Sequence, residues 1–458
     1  MGLYTQFSAG VLFPLHERLK GHHSVALRKQ LEESQWWPAD VLEAYRTRRL
    51  RDYLVEINTR VPYYRQLFQL LQFDPSAVTS TADLSALPLL GKQDIRRHLE
   101  QFKAQDHGPL TRYNTGGSSG EPLVFYMGKG RKSHDVAAKW RATRWWQVDI
   151  GDPEMVVWGS PIELGAQDRL RRLRDGLMRS RLLPAFDMSS ANLDRFVASI
   201  RAARPKMLFG YPSSLSLIAQ RARQRHVRLD QLGIRVVFVT SEKLYDEQRL
   251  LISEVFGCPV ANGYGARDAG FIAHQCPAGS LHISAEDMIV ETVRPDGTPS
   301  AAGEPGEIVV THMATAEFPF VRYRTGDMGV LGNAPCACGR SLPVLSDIQG
   351  RTTDFVVAQD GTVLHGLALI YTLRDVPGVE RFRIEQMSLE QTVVQVVADA
   401  GFNHHAEQRI VRDFQARLGA GVQVVVQKVD AIPAEASGKF RYVCSRVKAF
   451  AHLPPESR

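Results

Sequence analysis

The sequence predicts an α/β protein. It should have a large N-terminal domain of mainly parallel sheet with a β-meander, introduced by a helical segment, and a small α+β domain at the C-terminus. Three observations carry this. From about residue 150, short apolar runs ("EMVVWGS", "PKMLFGYPS", "IRVVFVTSE") alternate with helical stretches ("SSANLDRFVASIRAA", "PSSLSLIAQRARQR"), the signature of strand–helix units on a parallel sheet. Residues 280–350 turn to strands joined by Asp-Gly and Gly-Glu-Pro-Gly, as in a meander. After Gly350 the pattern restarts with about 100 residues of its own, enough for a small domain.

Taken in order, residues 1–100 read as mostly helical. "PADVLEAYRTRRLRDYLVEINTRV" has apolar positions at helical spacing, with Pro38 where a first turn tolerates it. Strand ends of a parallel sheet are where ligands bind. That singles out Trp158-Gly159-Ser160, Gly210-Tyr211-Pro212 and Thr240-Ser241-Glu242. In the last hundred residues, "QTVVQVVADA" and "VQVVVQKV" are strand-like and flank the helical "AEQRIVRDFQARLG". The division is therefore 1–350, with 1–100 as lead-in, and 351–458.

At 458 residues the chain exceeds one hydrophobic core. No window approaches the roughly 18 apolar residues of a membrane span. The N-terminus lacks a basic region and a cleavage site, so no signal peptide is expected. The five cysteines are few and odd in number, which points to a reducing, cytoplasmic setting. The net charge of +7 is modest for this length. Arginines cluster at Arg46–Leu54 and Arg169–Leu183. The second cluster could meet nucleotide, coenzyme A, anionic lipid or acidic polysaccharide, or could be a solvated helix face. No zinc-finger spacing or basic–aromatic module indicates nucleic acid. A homodimer is left open.

The loop "YNTGGSSGEPLVFY" has the composition of a phosphate cradle, since glycines admit positive φ and serines offer hydroxyls. It is not a Walker loop, because no Lys-Ser or Lys-Thr follows. Further along stand "GYPSSLS" (210–216), "NGYGARDAG" (262–270), "RYRTGD" (322–327), "QGRTTD" (349–354) and "SGKFR" (437–441). Cys276, Cys336 and Cys338, with His282 or His274 as a fourth, are the ligand types of tetrahedral zinc. His134, His365, His404 and His405 read as surface or satisfied histidines.

In order and spacing these motifs resemble the adenylate-forming superfamily, in particular its phenylacetate–coenzyme A ligase-like branch and the members associated with capsule and exopolysaccharide synthesis. The resemblance implies ATP-dependent activation of a carboxylic acid through an acyl-adenylate, then acyl transfer to coenzyme A. An amine or sugar acceptor in polysaccharide synthesis is the alternative, and a non-catalytic nucleotide-binding scaffold is the rival. It implies that Thr115, Gly116, Gly117, Ser118, Ser119 and Gly120 hold the phosphates. Ser241, Glu242, Asn262, Gly263, Tyr264 and Gly265 would border the nucleotide, with Tyr264 near adenine and Asp327 on the ribose hydroxyls. Arg351, at the junction with the small domain, which the resemblance makes mobile, would also bind the nucleotide, and Lys439 would be the catalytic lysine. Trp158, Gly159, Tyr211 and Pro212 would line the acyl pocket. Asp268 would hold Mg²⁺, and Cys276, His282, Cys336 and Cys338 a structural Zn²⁺. Three positions depart from the pattern: Glu121 stands where Lys is usual, Asp268 where Glu is, and Thr353 where Asp is.

Overall fold

The computed structural model describes residues 2–115, 123–158, 169–185, 188–242, 244–294, 296–348, 355–432 and 442–447. The lead-in is helical as expected: after the N-terminal helical segment Leu3–Leu19 come helices Ser24–Ser34, Ala39–Arg60 and Pro62–Leu71. Pro62 opens the last of these, where its missing N–H costs nothing. A hairpin, β1 (Thr111–Asn114) and β2 (Val124–Met127), brackets the Gly/Ser loop. It leads into the helix Lys129–Trp145.

The centre is one eleven-stranded sheet. Its parallel part comprises β3 (Glu154–Trp158), β4 (Ser180–Pro184), β5 (Met207–Gly210), β6 (Val236–Thr240) and β7 (Val260–Ala266). Their order is 4-3-5-6-7. β5 and β6 are buried at every residue, which is why they read as continuous apolar runs. The meander continues the same sheet antiparallel. It consists of β8 (Gly270–Gln275), β9 (Leu281–Ile283), β10 (Met288–Val293), β11 (Pro305–His312), β12 (Phe320–Leu331) and β13 (Val344–Ile348). The order is 7-8-9-13-12-11-10. The parallel character expected of the large region is thus confined to five adjacent strands.

Residues 355–445 form separate sheets. β14 (Phe355–Val357) pairs with β15 (Val363–His365). β16 (Val379–Gln386), β17 (Gln391–Ala398), β18 (Gln423–Lys428) and β19 (Val443–Ser445) lie in the order 18-17-16-19. The helix His404–Leu418 packs Ala406, Ile410, Phe414 and Leu418 against them, a spacing of four that keeps one face inward.

The helix Lys129–Trp145 is buried despite its polarity. Arg131, Ser133, His134 and Arg141 are all inside, and buried charge needs partners. Arg141 Nη1 donates to Glu286 Oε1 at 2.5 Å and to the Leu31 carbonyl at 3.0 Å. Ser34 donates to the same carboxylate oxygen at 2.7 Å. Arg131 Nε donates to both oxygens of Asp135. His134 is fully buried, and neither ring nitrogen has a hydrogen-bond partner among the described residues, with Asp287 3.8 Å and Asp135 3.9 Å away. The reading of His134 as an ordinary surface or satisfied histidine is therefore corrected. His404 and His405 are exposed as read.

Replacing Arg141 by Met should strand Glu286 without its counter-charge and destabilise the protein by about 3–5 kcal/mol. The double variant Arg141→Met/Glu286→Leu should recover much of that loss, because an apolar pair leaves no charge to desolvate. Equilibrium denaturation of the three proteins checks this.

Candidate active site

The carboxyl ends of β3, β5, β6 and β7 open into one cavity of about 1430 Å³, the expected place in an open parallel sheet. It brings together Thr115, Trp158, Tyr211, Ser241, Glu242, Asn262, Gly263, Tyr264, Gly265, Asp268 and Asp327, eleven positions singled out from the sequence. Pro212 is not on its wall; it is buried as the first residue of the helix Pro212–Gln224. Gly116 to Gly120, Glu121, Gly159, Arg351, Thr353 and Lys439 lie outside the described residues.

Each wall has a local cause. Trp158 and Tyr211 stack with ring centroids 4.4 Å apart and planes 19° apart, and Phe209 lies behind Trp158 at 5.9 Å. Gly210 lies between Phe209 and Tyr211 because a Cβ there would stand 2.4 Å from the Val157 carbonyl oxygen on the adjacent strand. Ser241 holds φ 74° just after β6; a non-glycine residue in that region marks a backbone constrained by its surroundings. The Glu242 carboxylate accepts a long hydrogen bond, 3.4 Å, from Ser213 N. It thus faces the positive end of the helix that Pro212 starts.

The "RYRTGD" segment lies on β12, and its residues part in different directions. Arg322, at φ 50°, pairs with Glu291 at 2.9 Å and donates to the Leu87 carbonyl. It fastens the lead-in to the sheet and takes no part in the cavity wall. Thr325 Oγ1 donates to the Ile308 carbonyl and accepts from Asp327 N at 3.1 Å. Tyr264 Oη lies 3.2 Å from Asp327 Oδ2 and 3.4 Å from Thr325 Oγ1. Gly326, at φ 77°, makes the turn that presents Asp327. A carboxylate so held offers acceptors spaced for a vicinal diol.

Asp268 sits in the turn between β7 and β8. Its Oδ2 accepts from the buried Tyr323 hydroxyl at 2.5 Å and its Oδ1 from Ala269 N at 3.2 Å. Arg131 donates to the carbonyls of Arg267 and Asp268, so the turn is pinned from below. These supports were not found from the sequence. Tyr323 is one letter of the "RYRTGD" motif, and Arg131 lies in a polar helix whose burial the sequence does not signal.

A second cluster flanks the seam between β9 and β13. Ligand atoms of Cys276, His282, Cys336 and Cys338 lie within 4.8 Å of one another. Cys276 Sγ is 3.7 Å from Cys336 Sγ. Two zinc–sulfur bonds at the tetrahedral angle would place the sulfurs about 3.8 Å apart. Cys338 Sγ is 3.2 Å from His282 Nε2, while His282 Nδ1 faces the Leu342 carbonyl at 3.0 Å. That second bond directs the Nε2 lone pair toward the thiols. Burial opposes a Cys336 thiolate, but hydrogen bonds from Ser280 and Cys338 outweigh it and lower the thiol's pKa. The residues fit tetrahedral zinc. His274, the alternative fourth ligand, is elsewhere, stacked on Phe271 at 5.5 Å, and burial lowers its pKa to about 3.

Residues 356–446 match the CapK C-terminal domain family. Protein CapK of Staphylococcus aureus is 22% identical over 404 residues, covering 87% of this chain and 88% of that protein. The phenylacetate–coenzyme A ligase of Thermus thermophilus is 24% identical over 444 residues, covering 90% and 98%, and that of Escherichia coli is 27% identical over 336, covering 69% and 73%. Among solved structures, 2-hydroxyisobutyryl-CoA ligase with 2-HIB-AMP and CoA in the thioesterification state superposes with a TM-score of 0.64 at 19% identity, covering 91% of this chain and 94% of that one. The chain therefore has the fold of the adenylate-forming acyl-CoA ligases, and along most of its length its sequence is similar to CapK and to the phenylacetate–coenzyme A ligases.

Proposed function

We propose that this protein is an ATP-dependent, AMP-forming acid ligase. A carboxylate oxygen attacks the α-phosphorus of ATP, pyrophosphate leaves, and an acyl-adenylate remains. The sulfur of coenzyme A then attacks the acyl carbon, giving a thioester and AMP. The observation that carries this is the single cavity that gathers Tyr264, Asp268, Thr325 and Asp327 beside the aromatic wall of Trp158, Phe209 and Tyr211. Similarity to phenylacetate–coenzyme A ligases supports the same reading.

In this reading Asp327 accepts the ribose hydroxyls, and the loop 115–120 meets the phosphates through backbone N–H groups and serine hydroxyls. Asp268 would hold Mg²⁺, a hard cation that prefers carboxylate oxygen and, when bound, offsets phosphate charge. The stacked Trp158 and Tyr211 suit a planar or apolar acid, because ring faces favour offset stacking. Lys439 brings an ammonium to the α-phosphate as charge builds there. The segment 351–354 is the hinge between residues 1–350 and 351–458, letting one lysine serve the first step and withdraw for the second. The cysteine cluster would hold a structural zinc. An amine or sugar acceptor, as in polysaccharide assembly, is the second reading.

ATP–pyrophosphate exchange over a panel of carboxylic acids should show acid-dependent exchange. No exchange with any acid would leave the nucleotide-binding scaffold as the better reading. Lys439→Ala should lower exchange by about 10²–10³ while ATP binding persists, the loss expected for charge used in the transition state. Slowing of acyl transfer alone would remove that role.

Elemental analysis of purified protein should give about one zinc per chain. The triple variant Cys276→Ser/Cys336→Ser/Cys338→Ser should lose the metal and melt at a lower temperature.

A further inference from the structure

The N-terminal helical segment Leu3–Leu19 is amphipathic in the wrong sense for a helix that serves only the core. Its buried positions are largely polar. Thr5 Oγ1 donates to Asp152 at 2.9 Å. Ser8 seats against Gly151, where a Cβ would come within 2.3 Å of the serine. Buried Glu17 accepts from Ser24 and lies 3.1 Å from His22 Nδ1. Only Phe13, edge-on to Trp140 at 5.0 Å, packs apolar surface inward. The π turn at Ser8–Leu12 carries the buried row across five residues, from Ser8 to Phe13.

The outward row is apolar. Leu3, Phe7, Val11, Leu15 and Leu19 recur every four residues and are between 49% and 86% exposed. A surface helix normally shows the opposite arrangement, and a row of this size is more than scattered exposed leucines. The helix Arg169–Leu177 and the strand after it lie alongside. Tyr4 Oη donates to the Leu177 carbonyl at 2.7 Å, and the Arg179 guanidinium lies over the Tyr4 ring at 5.4 Å. Leu173 and Leu177 add exposed apolar surface.

The charge beside this row has one sign. Across residues 2–20 and 169–185 the sequence has Arg18, Lys20, Arg169, Arg171, Arg172, Arg174, Arg179 and Arg181 against two acids, Glu17 and Asp175. Glu17 is buried and Asp175 is paired with Arg174, whereas Arg18, Arg179 and Arg181 are exposed. Among the described residues no helix is long and apolar enough to cross a membrane. The segment, about 25 Å long, has the composition of a helix that lies in the plane of an interface.

We propose that this face docks on the surface of an anionic bilayer, with the leucine–phenylalanine row in the headgroup–acyl boundary and the arginines on lipid phosphates. The charge distribution favours a bilayer over a second copy of the chain. A two-fold contact brings the same patch against itself, so arginines would meet arginines. The proposal is independent of the catalytic reading.

The test is co-sedimentation of the full chain with vesicles of phosphatidylcholine alone and with added phosphatidylglycerol. Binding should require the anionic lipid and weaken as salt rises. Phe7→Ser/Val11→Ser/Leu15→Ser should reduce binding at least tenfold with an unchanged melting temperature. Should that variant misfold, Leu3→Ser/Leu19→Ser, at the two most exposed positions, should still weaken it. Arg179→Gln/Arg181→Gln should lower binding by about fivefold per charge and flatten its salt dependence. Equal binding to both vesicle types, or none to either, would overturn the proposal. So would a wild-type dimer in analytical ultracentrifugation that the serine variants convert to monomer, since the row would then serve self-association.

Discussion

The buried ion pair of Arg141 with Glu286 joins three parts of the chain that would otherwise have little reason to stay in register. Arg141 comes from the helix after the Gly/Ser loop, Glu286 from the turn between β9 and β10, and the Leu31 carbonyl and Ser34 hydroxyl from the lead-in. Both side chains are essentially without solvent. Neither charge could remain there alone, because desolvating an unpaired ion costs several kcal/mol. The pair therefore acts less as a source of stability than as a condition: the helix, the turn and the lead-in must all be in place before either charge is tolerated. Arg131, nearly three turns earlier on that helix, then reaches the carbonyls of Arg267 and Asp268. The position of the Asp268 turn in the cavity is thus tied to a contact made well away from it.

Strands β3, β5 and β6 were legible in the sequence as short apolar runs, continuous in β5 and β6 because every residue there is buried. Their polar ends marked the cavity because strand ends are where a parallel sheet leaves backbone open. The meander was legible from its turns. What could not be read was the joining of the meander to the parallel strands in one sheet, since pairing of β9 with β13 links residues about sixty apart and leaves no local signature. The helix Lys129–Trp145 was opaque for the opposite reason. Its charges suggest solvent, and only their partners, distant in sequence, show that they are inside.

The motif residues were found as a set and differ in what they do. Asp327, Thr325 and Tyr264 share one hydrogen-bonded corner. Tyr323 supports Asp268 from beneath, and Arg322 faces away into the lead-in. Adjacent residues on a strand alternate faces, so a six-residue motif serves two sides of a sheet. Conservative substitution of Arg322 would be read as damage to a binding site although the side chain is on the other side. The shorter reach of Asp268 relative to the usual Glu is accompanied by a phenol that fixes its carboxylate in one orientation.

The eleven strands are not joined with equal strength. β9 and β13 share only two registered pairs, Val344 with His282 and Leu345 with Leu281, whereas β10 and β11 share six. In mechanical terms the sheet is two plates meeting at a narrow seam, one carrying the parallel strands and the other the hairpins with Asp327. His282 is itself one of the two seam residues on β9, and Cys276, Cys336 and Cys338 close on it from both plates. The four side chains are placed like a rivet, bridging the plate that carries Asp327 and the plate that carries the aromatic wall.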